Sequence, residues 1–385
     1  MDTISKLDLL GEAAQYDICA TSACIGVKDG GRKRAPHNLP RWIYPAVRPD
    51  GTRQLLMKVL MSNACRNDCA YCVNRCGGRG QPLSFTPDEL VKTFLDFNRR
   101  GLAKGLFLSS AVENDNTMSR MLDTVEILRT RVGFRGYIHL KILPGASYGH
   151  VARAVELATR VSVNLEAPSP QHLAKIAPNK RFNDDLYTRM KWIKECMDKK
   201  QSHLCKGQTT QLIIGATGES DYEVVDRVIG LYTDLRLERT YYSAFQPITG
   251  TPMENVAPAP LMREHRLYQV DFLLRRYKWT REDLIFQSDG NLSLKQDPKY
   301  VWAINHPEFF PIEINAADRY ELLRIPGIGP ISARRILEAR QQGKLQSSDE
   351  LRTLGIVIKR AAPFVLLNGR RYAEEEGQRE LFERA

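Results

Sequence analysis

With 385 residues and a formal net charge of +11, the chain has enough length for one large domain or two, each with an ample core. No apolar run approaches the roughly 20 residues needed to cross a bilayer, which argues against a membrane-spanning role. The opening MDTISKLDLLGEAAQYD is acidic and mixed rather than signal-like, so a cytoplasmic protein with reduced thiols is expected. The basic balance is compatible with a nucleic-acid partner but does not by itself specify one.

Residues 1–49 read as an irregular lead-in. Apolar spacing over residues 5–16 predicts a short helix. Cys19 and Cys24 follow, then the basic run Arg32-Lys33-Arg34, which reads as a solvated loop or a phosphate contact. Trp42 and Tyr44 are expected to pack on the domain that follows.

From residue 50 to 259 strand-like runs alternate with amphipathic segments, the rhythm of a parallel α/β fold. The expected strands are Leu55–Met61, Gly105–Ser110, Tyr137–Leu143, Val161–Leu165, Thr210–Gly215 and Thr240–Gln246. Helices are expected near 86–100, 117–131, 150–159, 183–200 and 220–235. Thr86-Pro87-Asp88-Glu89 is a helix start, with Thr86 as N-cap, Pro87 in the first turn and acids at the positive end of the dipole. Six such units make a partial (β/α)6 TIM-like barrel, whose site belongs at the carboxyl ends of the strands.

Directly after the first strand stands Cys65-Arg-Asn-Asp-Cys69-Ala-Tyr-Cys72, three cysteines at spacing C-x3-C-x2-C. Such crowding in a cysteine-poor chain points to a metal centre rather than to disulfides. A [4Fe–4S] cluster needs four ligands; three from this loop would leave one iron open to chemistry. The competing reading adds Cys76 and makes a four-thiolate zinc knuckle. Cys19, Cys24, Cys196 and Cys205 could together hold an auxiliary cluster, or be independent thiols.

Residues 260–311 read as a long basic helix, Pro260–Trp279, that closes the barrel, followed by an ordered connector. Residues 312–372 read as a small all-α domain. Its core is Ile314 to Ile336, a helix, a Pro326-Gly327-Ile328-Gly329 turn and a second helix. Gly327 and Gly329 would let backbone approach a phosphate, which the start of the second helix would receive. Arg334 and Arg335 would add charge. Contacts of this kind hold the backbone of a nucleic acid without reading its sequence. A second hairpin ends at Leu354-Gly355-Ile356-Val357, where Val357 takes the place of the second glycine. Residues 373–385 form an acidic tail.

The cysteine loop resembles that of the radical SAM (S-adenosylmethionine) superfamily. Gly105-Leu-Phe-Leu-Ser-Ser, Gly136-Tyr-Ile-His-Leu-Lys, Ser162-Val-Asn-Leu-Glu-Ala-Pro, Tyr242-Ser-Ala-Phe and the terminal hairpin together resemble the DNA modification/repair radical SAM proteins that end in a helix-hairpin-helix. The resemblance runs from about residue 10 to 372. It implies a [4Fe–4S] cluster on Cys65, Cys69 and Cys72, and S-adenosylmethionine as cofactor. It further implies that Tyr71 lies beside the adenine and that Ser109 and Ser110 stand where relatives carry Gly-Gly-Glu for the SAM amino group. Asn164 and Glu166 would point together toward the ribose, and Gly215 would let backbone approach the adenine. Implied partners are DNA, gripped through Gly327, Ile328, Gly329, Arg334 and Arg335, an electron donor such as flavodoxin or ferredoxin, and a uracil-DNA-glycosylase-like protein. The family supplies no known reaction, so no catalytic residue is assigned. RNA as substrate, or a non-catalytic zinc-bearing adaptor, are the alternatives.

Overall fold

A computed structural model describes residues 2–14, 40, 42–47, 52–78, 81–199 and 203–371. Cys19, Cys24, the Arg32-Lys33-Arg34 run and the acidic tail lie outside the described residues. The chain divides into two compact units, Met1–His265 and Arg266–Ala385.

The first unit runs α1 (Thr3–Ala13), β1 (Ile43–Val47), β2 (Arg53–Leu60), α2 (Pro87–Arg99), β3 (Gly105–Ser109), α3 (Thr117–Glu126), β4 (Tyr137–Lys141), α4 (Tyr148–Leu157), β5 (Arg160–Ser162), α5 (Pro170–Ile176), α6 (Thr188–Asp198), β6 (Gln208–Ile214), α7 (Asp221–Leu235) and β7 (Arg239–Ala244). The helix α8 (Leu261–Tyr277) begins in it. All seven strands form one sheet in chain order. The six expected strands are present, each pair parallel. No pairing joins β7 back to β1 among the described residues, so the sheet is a half-barrel.

The lead-in is less irregular than its sequence suggests. Residues 43–47 pair antiparallel with β2, a strand hidden because Pro45 sits within it on a sheet edge, where a missing N–H is tolerated. Trp42 is buried as expected, its ring 4.1 Å from that of Phe97. Gly11 lies so close that a Cβ there would come within 2.6 Å of the Trp42 Cβ.

Local chemistry explains the helix starts. Thr86 and Glu89 form a reciprocal capping box at α2, as do Ser220 and Glu223 at α7. The short α5, not anticipated from periodicity, has Ser169 as N-cap and Pro170 at its first position.

The two faces of the sheet differ. Gln208 Nε2 donates to Met190 O of α6 at 3.2 Å and to Leu235 O of α7 at 3.1 Å, so its face meets the helices. On the other face Lys58 Nζ lies 5.3 Å from the Phe107 ring centroid. The Phe107 and His139 rings are 4.3 Å apart, and His139 Nε2 lies 2.9 Å from Ser162 Oγ.

The second unit contains most of α8, then α9 (Pro298–Asn305), β8 (Ile312–Glu313), α10 (Arg319–Arg324), α11 (Pro330–Arg340), α12 (Ser348–Thr353), α13 (Ile358–Ala361), β9 (Val365–Leu367) and β10 (Arg370–Arg371). Residues 266–311 fall in the same compact unit as the hairpin. Arg266 donates to the carbonyls of Ser293 and Leu294. The guanidinium of Arg324 sits 4.6 Å from each of the rings of Trp279, Trp302 and Tyr320 and pairs with Asp283 at 2.7 Å. This cation–π box pins the connector to α10. One expectation is corrected here: the unit is not all-α. A three-stranded sheet, β10-β9-β8, closes on an Asn368-Gly369 turn in which both residues have positive φ, the usual two-residue hairpin chemistry. The Glu313 carboxylate accepts from the N–H groups of Asn315, Asn368 and Gly369 and ties that turn to β8.

Candidate metal centre

The cysteine loop leaves the carboxyl end of β2 and is held by its neighbours' backbone. Met61 N–H donates to Ser109 O at 2.8 Å, Arg66 N–H to Val112 O at 2.8 Å, and Ala70 N–H to Ile176 O at 2.7 Å. Cys76 N–H closes the loop on Asn67 O at 2.7 Å. Cys69 is buried, Cys65 and Cys72 are half-buried, and Cys76 is exposed. Cys72 lies within electrostatic reach of both Cys69 and Cys65, and burial together with those charges pushes its thiol up to about 12. Bound iron would displace that proton.

Among the described residues no three His, Cys, Asp or Glu side chains converge to hold a single metal ion. A cubane takes one thiolate at each of three corners and leaves the fourth iron open, and the donor set of the loop, three thiols spaced C-x3-C-x2-C, fits that demand. Cys65, Cys69 and Cys72 would hold it.

Behind Cys69 stands a residue that sequence reasoning missed. Lys180 hydrogen-bonds Cys69 and pairs with Glu166 Oε1 at 3.6 Å. Burial would depress its ammonium, but the charges of Cys69 and Glu166 outweigh burial and hold it above the usual lysine range. Tyr71 hydrogen-bonds the same carboxylate, and burial followed by the nearby negative charges raises its phenol well above the ordinary value. In the sequence Asn179-Lys180-Arg181 looks like a solvated loop. No periodicity marks the middle residue as the inward one.

Glu166 does not extend the alternation of β5. Its φ is +66°, a left-handed conformation that costs energy in a residue with a side chain. Thr210 bridges the break, its hydroxyl donating to Val163 O at 2.7 Å and accepting from Leu165 N–H at 3.1 Å. Asn164 is half-buried, and Glu166 is turned to Tyr71 and Lys180.

The remaining assignments divide. Ser109 is buried at the end of β3. Ser110 serves the scaffold, since its hydroxyl accepts from Ser62 N–H at 3.2 Å. Ser62 in turn joins Ser84, Glu113 and Arg120 in a chain of 2.8 Å hydrogen bonds that fixes the exit of β2. Gly215 has φ +85°, but a Cβ there would lie 2.5 Å from that of Ala259, so its bareness serves packing. Its N–H is taken by the Glu219 carboxylate. Cys196 and Cys205 are buried thiols; their proposed companions Cys19 and Cys24 lie outside the described residues.

In the second unit the α10–turn–α11 hairpin is present, with Gly329 as N-cap and Pro330 at the first position of α11. Gly327 has φ +87°, and a Cβ there would lie 2.6 Å from Val357 O. Its missing side chain thus makes room for the second turn. Ile328 is 1% exposed and packs in the core. Arg334 and Arg335 stand exposed on α11.

Residues 59–228 match the family model described as Radical SAM superfamily. This segment is a radical SAM domain. Members of that superfamily use a [4Fe–4S] cluster and S-adenosylmethionine, and the radical SAM domain here spans β2 to α7 with its three thiols at the carboxyl end of β2. No curated protein matches the chain. Two solved structures similar to it are the FeFe-hydrogenase maturase HydG from Carboxydothermus hydrogenoformans and methylornithine synthase (PylB). Each is 15% identical with a TM-score of 0.46 over 56% of this chain, covering 50% and 60% of their own lengths respectively. The chain thus spans about half to three-fifths of those proteins, and the likeness carries no argument about its reaction. No described helix is long and apolar enough to cross a membrane.

Proposed function

We propose that the protein is a radical SAM enzyme that modifies or repairs nucleic acid, with DNA as the substrate. The observation that carries the enzyme reading is the three-thiol loop at the carboxyl end of β2, backed by the Lys180–Glu166 pair. When bound, the cluster and SAM supply a 5′-deoxyadenosyl radical that abstracts hydrogen from a substrate C–H bond. Cys65, Cys69 and Cys72 would hold the cluster, Lys180 would hold Cys69 in place, and Tyr71 would stand beside the cofactor. An electron donor such as flavodoxin or ferredoxin is required, and a reducing compartment such as the cytoplasm suits the free thiols.

The DNA reading is supported by the α10–α11 hairpin, the exposed Arg334 and Arg335, and the net charge of +11. Such a surface would grip backbone without sequence readout. A base in duplex must leave the stack to reach a radical, so damaged or single-stranded positions are the preferred targets.

The test is anaerobic reconstitution with iron and sulfide analysis, followed by reduction with SAM and chromatography for 5′-deoxyadenosine. About four irons with 5′-deoxyadenosine formed is the expected result. Colourless protein holding zinc, with SAM intact, would overturn it. Competition binding between duplex DNA and structured RNA decides the substrate class, and preference for RNA would overturn the DNA reading alone.

A further inference from the structure

Each of Cys65, Cys69 and Cys72 accepts a hydrogen bond at sulfur, but the donors are not alike. Asn67 N–H donates to Cys65 Sγ at 3.4 Å, and Asn74 N–H donates to Cys72. Those are neutral backbone donors two residues further on. Cys69, the most deeply buried of the three, receives the ammonium of Lys180. A charged donor makes a hydrogen bond about twice as strong as a neutral one, and burial weakens the screening of its charge.

Backbone bonds hold the ammonium there. Lys180 N–H donates to Ala177 O at 3.0 Å, just past the end of α5, and the adjacent Ile176 O accepts from Ala70 N–H at 2.7 Å. The same end of α5 thus fixes both the lysine and the residue after Cys69. Lys180 is 9% exposed, whereas Arg181 beside it is 71% exposed and pairs with Asp185. Two other cations of the loop are committed elsewhere: Arg66 pairs with Asp115 at the surface, and Arg75 donates to Asp68 O. Glu166 stands 3.6 Å from the ammonium, beyond hydrogen-bond length, and so acts on it as a charge. Its carboxylate is hydrogen-bonded by Tyr71. Lys180 therefore keeps its bond to the sulfur while Glu166 offsets part of its field.

We propose that Lys180 is a positioning residue that sets the reduction potential of the cluster, its ammonium drawing electron density from the Cys69 sulfur while Glu166 limits the effect. The inference rests on the reading of the loop as a [4Fe–4S] site and adds what this chain's own residues do to it. Hydrogen bonds to ligand sulfur and net charge are among the factors that set such potentials. A cation beside the sulfur favours the reduced state, which carries one more negative charge. The electron comes from the flavodoxin- or ferredoxin-like donor, no bond breaks, and Lys180 keeps its proton.

The experiment is a potentiometric titration of the anaerobically reconstituted full chain, with iron counted per chain and the reduced cluster detected by electron paramagnetic resonance. Lys180→Met should shift the midpoint negative by at least a tenfold change in the reduction equilibrium, about 59 mV for one electron. Lys180→Arg should retain most of the wild-type value. Glu166→Gln, which leaves the Lys180 bond to sulfur in place, should shift the midpoint positive. A merely structural contact would cost iron in these variants without shifts of opposite sign. An unchanged midpoint in Lys180→Met with its iron intact would overturn the proposal, as would a negative shift in Glu166→Gln. If Lys180→Met does not fold or take up iron, Glu166→Gln decides, and a midpoint that does not rise overturns the assignment. A wild-type chain that takes up no iron and sulfide would instead overturn the reading of the loop, so the two failures are distinguishable.

Discussion

Lys180 and Glu166 face each other at 3.6 Å, each side chain only 9% exposed, against the thiol of Cys69. A buried pair of this kind matters most when one partner is lost, because the other is left charged and out of water. Lys180→Met should therefore destabilise the first unit by about 3–5 kcal/mol, and Lys180→Met with Glu166→Gln should recover much of the loss. Thermal unfolding of the four proteins in a double-mutant cycle checks the coupling. Additive effects would show that the pair is not the unit that matters.

The cysteine series separates the cluster from the zinc alternative. Cys65→Ala, Cys69→Ala and Cys72→Ala should each lose most of the iron and all 5′-deoxyadenosine formation. Cys76→Ala, at the exposed position, should keep both. Metal analysis in which Cys76→Ala is as depleted as the other three would restore a four-thiolate site.

The hairpin variants should part into two classes. Gly327→Val places a Cβ 2.6 Å from Val357 O at a φ of +87°, so it should cost about 2–3 kcal/mol of stability. Arg334→Ala and Arg335→Ala, on the exposed face, should leave folding unchanged. Each should weaken DNA binding across sequences and lower the salt slope by about 1. Binding measured against salt concentration, beside thermal unfolding, reads both.

Lys299 gives a pH dependence with a defined sign. Its Nζ donates to Ile328 O at 2.5 Å, and burial holds the ammonium well below its ordinary 10.5. Between that depressed value and 10.5 the unfolded chain binds the proton and the folded one does not. Stability of the second unit should thus rise with pH across that window. Lys299→Met should flatten the rise, as read by amide exchange in α10 and α11. A slope unaltered by the substitution would assign the effect to another group.

Much of the first unit was legible because its signals are local. Strands β2 to β7 show as apolar runs, and Thr86 and Ser220 announce their helices through capping chemistry that needs no tertiary context. The three thiols are legible for the same reason, being close in sequence. Lys180 was not, since its role depends on a fold that brings residue 180 beside residue 69. The partners of Glu166 were not legible either, since its left-handed turn at φ +66° and the support of Thr210 from the neighbouring strand are tertiary features. Gly327 was found as special but for a different reason. Its turn shape is local, whereas the atom that fills the space beside it belongs to Val357.

That neighbour ties the two turns of the second unit together. Val357 N–H donates to Gly327 O at 3.0 Å, and Ser332 Oγ donates to Gly355 O at 2.8 Å. Each hairpin therefore completes the other's backbone, although α12 and α13 are only 6 and 4 residues long and too short to persist alone. The two hairpins should open to solvent exchange as one foldon, with a single protection level across both turns. Damage to the second turn would then be felt at the first, where Arg334 and Arg335 are displayed.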